Sequence, residues 1–321
     1  TEAVRQIFTE TTPKLTFVGN PELAQKLLET APEVGQVVLL EGEYPGCQTL
    51  EQFLEVPFRP DWNKRVAETK DSDLWTIVYT SGTTGEVRGA MLTHGNIVYQ
   101  VERHRDRLPD VSDADSSFCM LPLSHIFERG WSSVQYCWGM TYHYCAPSPE
   151  IVKLLPEAKP AVICVVPRIL EKIYAAIQEK FQSKPPAVRH FIEGLIEVGR
   201  QYQREIMAGR QPSWWLRMRQ AVADRLVFSQ VRQALGGHIK HLVVGSASLT
   251  PDVHEFFRAC GIFINNGYGL TETTATISST PLGRSQPGSV GLPMEGIEIR
   301  LGADNEIQVR GDSVMLGYYK K

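Results

Sequence analysis

The sequence predicts an α/β fold of largely parallel sheets covered by helices, with the start of a smaller β-rich unit. Strand-like apolar runs alternate with helix-like segments along most of the chain, which is typical of parallel sheets. With 321 residues and 42% hydrophobic content, the chain can bury a large core and form more than one structural unit. Apolar and polar residues alternate at 296–301 and 306–309, which indicates antiparallel strands. We therefore expect an α/β core over residues 1–275 and a small β-rich segment over 276–321.

Helices and strands alternate regularly at the start of the chain. The pattern predicts a helix at 3–8, a strand at 15–18, a helix at 21–30 and a strand at 36–40. The first helix begins almost at the first residue, as though a β–α–β pattern had been entered midway. We therefore expect an upstream portion of the protein to precede this chain.

A loop with exposed backbone follows the next strand. The apolar run at 74–79 predicts a short buried strand, and it gives way to a segment made almost wholly of Ser, Thr and Gly. Glycines let the backbone approach a ligand closely, hydroxyls donate to phosphate oxygens or bind magnesium, and an arginine adds a fixed positive charge. The phosphate-binding candidates of this loop are Thr80, Ser81, Gly82, Thr83, Thr84, Gly85 and Arg88.

The loop departs from the two common nucleotide-binding motifs. The GxxxxGK[ST] pattern requires a lysine and a hydroxyl after its second glycine, whereas Gly85 is followed by Glu86 and Val87, and GxGxxG is absent from the loop. A flexible Ser/Thr/Gly linker is the plainer alternative. It is disfavoured because a linker has no need to follow a buried strand.

A histidine follows the next predicted strand. Thr93 is the predicted N-cap of a helix that runs toward Arg107, and a strand at 116–121 then leads into PLSHIFERG at 122–130. His125 therefore lies just past a strand's carboxyl end, where ligands of open α/β sheets bind. A lone histidine is more often structural than catalytic, so both readings of His125 stay open.

A long helical tract interrupts the sheet pattern. Ser148, Pro149 and Glu150 predict a helix start, a strand follows at 161–166, and residues 186–235 then carry no strand signal. This tract predicts an insertion between sheet strands.

The composition of the insertion leaves two surfaces open. Arg and Trp on an amphipathic helix are compatible with peripheral membrane contact, and Trp214 and Trp215 lie among many arginines. Acidic residues dilute that charge and favour a solvated face instead. The arginines are at 189, 200, 204, 210, 217, 219, 225 and 232, and the acidic residues are at 193, 197, 205 and 224.

A second polar cluster follows the two strands after the insertion. A strand at 241–244 leads to GSASLT, and a strand at 262–265 leads to NGYGLTET. An aromatic ring such as Tyr268 can stack on a base, Thr271 can donate to a phosphate, and Glu272 can help to hold magnesium. The nucleotide-binding candidates of these segments are Gly245, Ser246, Ala247, Asn266, Gly267, Tyr268, Gly269 and Thr271.

Charge and cysteine usage exclude several classes of protein. A formal net charge of −3 argues against bulk binding to nucleic acid. The six cysteines form no CxxC pair and several lie in apolar runs, which predicts reduced thiols in a cytoplasmic protein and no zinc site. The first residues, TEAVRQIF, lack a signal-peptide layout.

Six ordered segments resemble the long-chain fatty acyl-CoA synthetases of the adenylate-forming, or AMP-binding, superfamily. They are YTSGTTGEVRG at 79–89, PLSHIFERG, VPRILEKIY, GSASL, NGYGLTET and EIQVRGDSVMLGYYK at 306–320. The resemblance implies the stacked α/β sheets of the family's large domain. It also implies that an N-terminal part and a small C-terminal domain lie outside this chain.

The resemblance implies a reaction and a role for each candidate. A long-chain fatty acid would react with ATP to give acyl-AMP and pyrophosphate, and the acyl group would then pass to coenzyme A. Thr80 and Glu272 would contact Mg²⁺, residues 81–85 with Arg88 the β- and γ-phosphates, and Thr271 the α-phosphate. His125 would lie near the acyl carboxylate. The segments at 245–249 and 266–268 would frame adenine.

Two alternatives remain open beside this function. One is adenylation and CoA ligation of a different carboxylic acid, and the other is a non-catalytic module that binds nucleotide or acyl chains. Two alternatives for location also stay open: a purely cytoplasmic protein, or a protein in peripheral contact with the inner face of a membrane.

Three departures from the family pattern affect the predicted site. Val87 and Arg88 stand where the family commonly has Pro and Lys, and Asn305 replaces a usual Gly. The chain stops at Lys321, before the family's ribose-binding aspartate and the lysine of adenylation. We therefore expect this portion alone to be inactive.

Overall fold

The computed structural model describes residues 2–55, 57, 61–81, 87–145 and 151–321. Its helices are α1 (Glu2–Thr11), α2 (Pro21–Thr30), α3 (Leu50–Leu54), α4 (Trp62–Glu68), α5 (His94–Arg107), α6 (Ile126–Trp138), α7 (Ile151–Ala158), α8 (Pro167–Gln182), α9 (Pro186–Met207), α10 (Trp214–Ala223), α11 (Ser229–Ala234) and α12 (Pro251–Ala259). Its strands are β1 (Leu15–Val18), β2 (Gln36–Leu39), β3 (Gln48–Thr49), β4 (Leu74–Ser81), β5 (Val87–Thr93), β6 (Ser116–Cys119), β7 (Thr141–Tyr144), β8 (Val162–Val165), β9 (His241–Val244), β10 (Phe263–Tyr268), β11 (Ser278–Ser279), β12 (Leu292–Pro293), β13 (Glu298–Leu301), β14 (Ile307–Arg310) and β15 (Gly317–Tyr318).

The chain divides into two compact units. The first consists of Thr1–Met91 with Leu316–Lys321, and the second of Leu92–Met315. The predicted division at residue 275 falls inside the second unit. In that part of the chain β11 and β12 extend a large sheet, whereas β13 and β14 form the antiparallel pair that the alternating pattern predicts.

A small parallel sheet forms part of the first unit. β1 pairs with β2 and β2 with β3, both in parallel, and α2 connects the first two strands. Asn20 caps α2 because its side chain accepts the backbone N–H of Leu23 at 3.0 Å. The buried residues of this layer include Val37 and Leu39 of β2. The predicted β–α–β order of this region is therefore confirmed.

The strand before the Ser/Thr/Gly loop belongs to a second small sheet, in the order β15–β5–β4. β5 and β15 are antiparallel, with Gly317 opposite Met91. The prediction that this strand is buried was wrong, because among the β4 side chains that the structure describes only Val78 is buried. β4 is the edge strand of a three-stranded sheet, and an edge strand is covered less than a central strand of a large parallel sheet.

A seven-stranded sheet organises the second unit, in the order β12–β11–β10–β9–β8–β6–β7. The five strands from β10 to β7 are parallel, whereas β11 pairs with β10 and β12 pairs with β11 in antiparallel orientation. All four residues of β8 and of β9 are buried, as expected for central strands with helices on both faces. The predicted α/β class with a largely parallel sheet is confirmed.

The predicted helical insertion is observed between β8 and β9. It contains α9, α10, a π-helical segment at Asp224–Phe228 and α11. Gly199 lets α9 pack closely, since a Cβ at that position would lie 2.6 Å from the Cζ of Phe228. Phe228 is fully buried in the largest apolar cluster of the second unit.

Three further predictions meet different outcomes. Thr93 caps α5 as predicted, and its side chain and that of Asn96 form reciprocal hydrogen bonds with the backbone. Each cysteine is a free thiol, as predicted. The helix start predicted at residues 148–150 lies outside the described residues. Among the helices that the structure describes, none combines the length and the apolar composition of a membrane-spanning segment.

Candidate active site

Two polar loops meet at the carboxyl edge of the seven-stranded sheet. β9 and β10 are adjacent and parallel, and Val244 is paired with Asn266. Gly245 therefore leaves β9 beside Gly267, whose Cβ position would lie 4.0 Å from the carbonyl oxygen of Val244. The sequence placed both segments after strand ends, and the structure brings them together at the edge where open α/β sheets bind ligands.

The loop after β9 combines a buried glycine with two exposed residues. Gly245 is buried against the ring of Phe127, because a Cβ at Gly245 would lie 3.3 Å from the Cζ atom of that ring. Ser246 has a φ of 71°, a conformation that non-glycine residues rarely adopt. Ser246 and Ala247 are exposed to solvent. Such strain in a loop at a sheet's carboxyl edge is typical of ligand-binding positions.

The loop after β10 is a tight turn closed by its own backbone. The carbonyl oxygen of Leu270 accepts the N–H groups of Thr273 at 3.2 Å and of Ala275 at 3.1 Å. Thr274 and Ala275 both have positive φ, at 51° and 76°. Gly269 has no room for a side chain, since a Cβ there would lie 1.4 Å from the carbonyl oxygen of Ala275. The geometry of this loop therefore depends on a glycine at that position.

Strand β10 is longer than the sequence predicts. Asn266, Gly267 and Tyr268 belong to the strand instead of following it, because Gly267 and Tyr268 pair with Ser279 and Ser278 of β11. This antiparallel pairing joins residues about ten positions apart, so the local pattern gives no signal of it.

Asn266 has one satisfied and one unsatisfied polar group at this edge. Its Nδ2 donates to the carbonyl oxygen of Ser289 at 3.1 Å, whereas its buried Oδ1 has no hydrogen-bond partner in the part of the chain that the structure describes. The preceding Asn265 points to the other side of the strand, and its Oδ1 accepts the Ser279 hydroxyl at 2.6 Å. Because buried polar atoms are nearly always satisfied, the Oδ1 of Asn266 fits a donor from a ligand.

Tyr268 is half-buried and packs against an apolar cluster. That cluster contains Tyr99, Ile277, Met294 and Ile297. The carbonyl oxygen of Tyr268 accepts the N–H of Ile277 at 2.9 Å. One side of the Tyr268 ring packs against this cluster, which is compatible with stacking of the other side on a base. The contact of Tyr268 with adenine stays a prediction.

Thr271 and Glu272 lie in a single 3₁₀ turn after β10. The turn spans Thr271–Thr273, and both candidate side chains are half-buried. The backbone is held in place because the carbonyl oxygen of Glu272 accepts the N–H of Met315 at 2.9 Å. The contact of Glu272 with magnesium and that of Thr271 with phosphate stay predictions.

His125 lies at the N-cap position of α6, at the carboxyl edge of the same sheet. It is exposed, and its backbone N–H donates to the carbonyl oxygen of Pro122 at 3.0 Å. Arg129 fixes the same turn, because its Nε donates to the carbonyl oxygen of Leu123 at 2.9 Å. This turn therefore presents the His125 ring at the edge that carries the two polar loops.

A fully buried carboxyl group supports the His125 turn, and the sequence analysis did not identify it. Glu128 accepts the backbone N–H of Leu121 at 3.2 Å and the hydroxyl of Tyr142 at 2.7 Å. Burial raises the pKa of the Glu128 carboxyl, and these hydrogen bonds offset part of that rise. Glu128 thus joins the first turn of α6 to the segment that leads from β6 to His125.

A polar stripe on α5 holds the loop after β10. Gln100 donates to the carbonyl oxygen of Thr276 at 2.8 Å. One turn earlier, Asn96 donates to the carbonyl oxygens of Asp312 at 2.6 Å and Val314 at 3.2 Å. On this stripe three polar residues recur every fourth position, and the structure shows that all three are buried. They are Asn96, Gln100 and His104.

The phosphate-binding candidates belong to the first unit. Thr80 and Ser81 end β4, and Arg88 is the second residue of β5, so it lies on a strand instead of in the loop. The guanidinium of Arg88 lies 5.6 Å from the ring centroid of Tyr318, and its buried Nε has no hydrogen-bond partner among the described residues. The candidates Gly82, Thr83, Thr84 and Gly85 lie outside the described residues.

A small cavity lies beneath the β9 and β10 loops. It has a volume of about 20 Å³, which is room for one water molecule. Phe127, Gly130, Trp131, Val243 and Ala275 are among the residues that line it. In this conformation the cavity is too small for a fatty acyl chain.

Comparisons with known proteins identify the family of the chain. A family model described as "AMP-binding enzyme" matches residues 1–319. The chain belongs to the AMP-binding enzyme family. Its expected family and its expected fold are therefore confirmed.

Curated members of the AMP-binding family include two similar relatives that are named as ligases. The long-chain-fatty-acid–CoA ligase FadD15 of Mycobacterium bovis is 30% identical over 318 residues, which cover 98% of this chain and 51% of the relative. The long-chain-fatty-acid–CoA ligase 6 of Rattus norvegicus is 33% identical over 283 residues, or 83% of this chain and 37% of the relative. This chain thus spans about half the length of the first relative and less of the second.

Solved structures share the fold at lower identity. The anthranilate CoA ligase AuaEII, in complex with anthranoyl-AMP, matches all of this chain and 55% of its own, with a TM-score of 0.69 and 17% identity. Apo MatB from Rhodopseudomonas palustris matches 99% of this chain and 54% of its own, with a TM-score of 0.64 and 20% identity. Identities this low establish the shared architecture and leave the substrate of this AMP-binding protein open.

Proposed function

We propose that this chain is the nucleotide- and acyl-binding portion of a long-chain fatty acid:CoA ligase. In the first reaction a carboxylate oxygen of the fatty acid attacks the α-phosphorus of ATP, and the bond to pyrophosphate breaks. In the second reaction the sulfur of coenzyme A attacks the acyl carbon, and AMP leaves. The names of the curated relatives support this reaction and this class of acid.

The carboxyl edge of the large sheet carries the proposal. Two adjacent loops there hold non-glycine residues at positive φ, and Asn266 presents a buried acceptor that no described residue satisfies. The exocyclic amine of adenine is a donor of the kind that this acceptor lacks. Ser246 and Ala247 are the exposed residues beside it, so we assign the adenine ring to the space between the β9 and β10 loops.

The remaining groups suit the charges of the reaction. Adenylation demands alignment of the carboxylate and stabilisation of the charge on the phosphates. Thr271 lies three residues after the adenine segment and is assigned to the α-phosphate, and His125 is assigned to the acyl carboxylate. Arg88 is assigned to the β- and γ-phosphates, and its Nε has no hydrogen-bond partner among the described residues.

Glu272 and Thr80 are proposed as magnesium contacts because the family resemblance implies this role for each of them. Among the described residues no cluster of three or more His, Cys, Asp or Glu side chains could hold a metal ion alone. Mg²⁺ in nucleotide enzymes is commonly held by one or two carboxylates together with substrate phosphates, so a single acid suffices. When bound, the ion would offset the negative charge of the phosphates.

Product analysis tests this function. The whole protein that contains this chain is incubated with ATP, Mg²⁺, coenzyme A and one acid at a time: palmitate, an aromatic acid or an amino acid. Mass spectrometry should detect palmitoyl-CoA as the favoured product. Preference for an aromatic or amino acid would support another substrate class, and nucleotide binding without any thioester product would support a non-catalytic module.

A further inference from the structure

Helix α1 contacts both strands that flank the Ser/Thr/Gly loop. The hydroxyl of Tyr79, on β4, donates to one carboxylate oxygen of Glu10 at 2.8 Å. The side-chain amide of Gln6 donates to the other oxygen of Glu10 at 2.8 Å. The same amide donates to the carbonyl oxygen of Val87, the first residue of β5, at 3.0 Å. Because Gln6 and Glu10 are four residues apart, one face of α1 makes all three contacts.

The Glu10 network stays in one protonation state at neutral pH. Hydrogen bonds from Gln6 and Tyr79 lower the pKa of the Glu10 carboxyl, so the group stays ionised. Burial and the contact with Glu10 raise the pKa of the Tyr79 hydroxyl, so the hydroxyl keeps the proton that it donates. A hydrogen bond to a carboxylate is shorter and stronger than one between neutral groups. This contact therefore fixes the position of Tyr79 relative to α1.

The ring of Tyr79 also lies against β5. A Cβ at Gly89 would lie 3.0 Å from the Cζ atom of that ring and 2.7 Å from the Cγ2 atom of Ile77. Both distances are shorter than an ordinary van der Waals contact, so the two side chains pack closely on the glycine. Tyr79, Ile77 and the Cβ position of Gly89 therefore share the face of the sheet that contacts α1.

Two phosphate-binding candidates lie on the opposite face of this sheet. Successive residues of a strand point to opposite faces, so Thr80 points away from Tyr79, and Arg88 points away from the Cβ position of Gly89. Each candidate also directly follows a residue that α1 contacts, since Thr80 follows Tyr79 and Arg88 follows Val87. The contacts with α1 thus fix the backbone from which both candidate side chains project.

We propose that Glu10, with Gln6, is a positioning residue for the groups that bind the phosphates of ATP. This inference rests on the proposed function, which assigns Thr80 to Mg²⁺ and Arg88 to the β- and γ-phosphates. Groups that stabilise charge on the phosphates are effective when the fold holds them in place before the reaction. Loss of the Glu10 contacts should therefore weaken the phosphate site, although Glu10 faces the other side of the sheet.

Nucleotide affinity tests the positioning role. Calorimetry is performed on the whole protein that contains this chain, with ATP and separately with AMP, which lacks the β- and γ-phosphates. Glu10→Ala should raise the Kd for ATP about tenfold and change the Kd for AMP by less than about twofold. A purely structural role would lower the fraction of folded protein, and hence the number of binding sites, without this selective change. Equal Kd values for ATP in wild type and Glu10→Ala would overturn the proposal.

Conservative variants separate the hydrogen bond from the fold. Tyr79→Phe removes only the hydroxyl and keeps the ring on Gly89, and it should weaken ATP binding as Glu10→Ala does. Glu10→Gln keeps an oxygen that accepts the Tyr79 hydroxyl and should restore most of the affinity for ATP. Because Glu10→Ala and Tyr79→Phe break the same contact, the double variant should lose little more affinity than Glu10→Ala alone. Fully additive losses would contradict the proposal.

Helix α2 supplies a matched control. Gln25 donates to Glu29 at 2.9 Å, with the same spacing as Gln6 and Glu10, on an exposed surface. Glu29→Ala removes this pair and should leave the Kd values for ATP and AMP unchanged. The same selective loss of ATP affinity in Glu29→Ala and Glu10→Ala would overturn the positioning role of Glu10.

Enzyme kinetics distinguish this inference from the proposed function. In palmitate-dependent exchange of pyrophosphate into ATP, Glu10→Ala should raise the KM for ATP and leave the KM for palmitate unchanged. If the wild type forms palmitoyl-CoA and Glu10→Ala keeps a normal KM for ATP, the positioning role is overturned and the ligase reaction stands. If the wild type binds neither ATP nor AMP, the proposed function is overturned, and this inference with it.

Discussion

Asn265 and Asn266 are neighbours on one strand with different hydrogen bonding. The Oδ1 of Asn265 is satisfied by the Ser279 hydroxyl, whereas the buried Oδ1 of Asn266 has no partner within the described ranges of the chain. A hydrogen-bond donor of a ligand would therefore satisfy the Oδ1 of Asn266, whereas the Oδ1 of Asn265 is already satisfied. Two adjacent residues of β10 therefore have different expected roles, a structural role for Asn265 and a binding role for Asn266.

Replacing Asn266 should therefore weaken nucleotide binding. Asn266→Ala should raise the Kd for ATP about tenfold, because one hydrogen bond to a buried acceptor is lost. Asn265→Ala should instead lower the free energy of unfolding by about 1 to 3 kcal/mol with little change in Kd. Isothermal titration calorimetry and urea denaturation measure the two effects. Equal loss of ATP affinity in both variants would count against the adenine assignment.

Glu128 makes the stability of the protein depend on pH. Burial raises its pKa in the folded state above the ordinary 4.5. Its contribution to the free energy of unfolding is therefore fully present below pH 4.5 and is lost as pH rises through the folded pKa. Glu128→Gln cannot titrate and should lack this decline. Denaturation across the pH range measures it, with the exposed Glu22→Gln of α2 as control. Identical profiles for wild type and Glu128→Gln would contradict the assignment.

The loop after β10 is the element whose shape the site most requires. Gly269 and Gly267 offer a matched test, because a Cβ would lie 1.4 Å from the carbonyl oxygen of Ala275 at the first position and 3.5 Å from the nearest atom at the second. Gly269→Ala should lower the free energy of unfolding by about 3 kcal/mol or more and impair ATP binding. Gly267→Ala should keep the fold. Thermal denaturation of the two variants measures this difference in stability. A Gly269→Ala variant as stable as Gly267→Ala would contradict the described geometry of the loop.

Local sequence signals predict the bounds of a helix or strand well where the residues of that element alone specify it. The strand at 15–18, the helix at 21–30 and the strand at 241–244 have the predicted bounds, because an apolar run or a cap fixes each one. Strand β10 extends to Tyr268 through pairing with β11, and that contact is not local. The edge position of β4 likewise follows from sheet order and not from its own apolar residues.

Some of the candidate site was visible from residue type, and some was not. Glycines, Tyr268 and the acid of the NGYGLTET segment stood out because their chemistry suits a nucleotide. Gln100 and Glu128 did not, because polar residues on a helix are exposed by default. Their burial depends on which elements cover α5 and α6, which is a property of the assembled second unit.

At the scale of the molecule, three buried histidines predict acid sensitivity. Burial lowers the pKa of His104 and His241, and it lowers the pKa of His254 to about 4. Between pH 6.5 and 4 the unfolded chain binds a proton at His254 that the folded chain does not, so the free energy of unfolding falls as pH falls. A full difference of one bound proton corresponds to a slope of about 1.4 kcal/mol per pH unit.

Denaturation at several pH values measures this slope. His254→Gln should show a shallower decline below pH 6.5 than wild type, because one of the three groups is gone. His190→Gln, which removes a histidine from the exposed surface of α9, is the control and should keep the full slope. A slope unchanged by His254→Gln would mean that this histidine is not held neutral by the fold.

The central claim, that the carboxyl edge of the large sheet supports adenylation of a long-chain fatty acid, is tested most directly by palmitate-dependent exchange of pyrophosphate into ATP. This exchange reports the first reaction without coenzyme A. The whole protein that contains this chain should catalyse it, and Glu272→Gln should reduce the rate on the order of 100-fold through loss of one preorganised charge. A Glu272→Gln rate within about a factor of two of wild type would contradict the account, because removal of one such group should reduce the rate far more. Exchange that does not depend on palmitate would also contradict it.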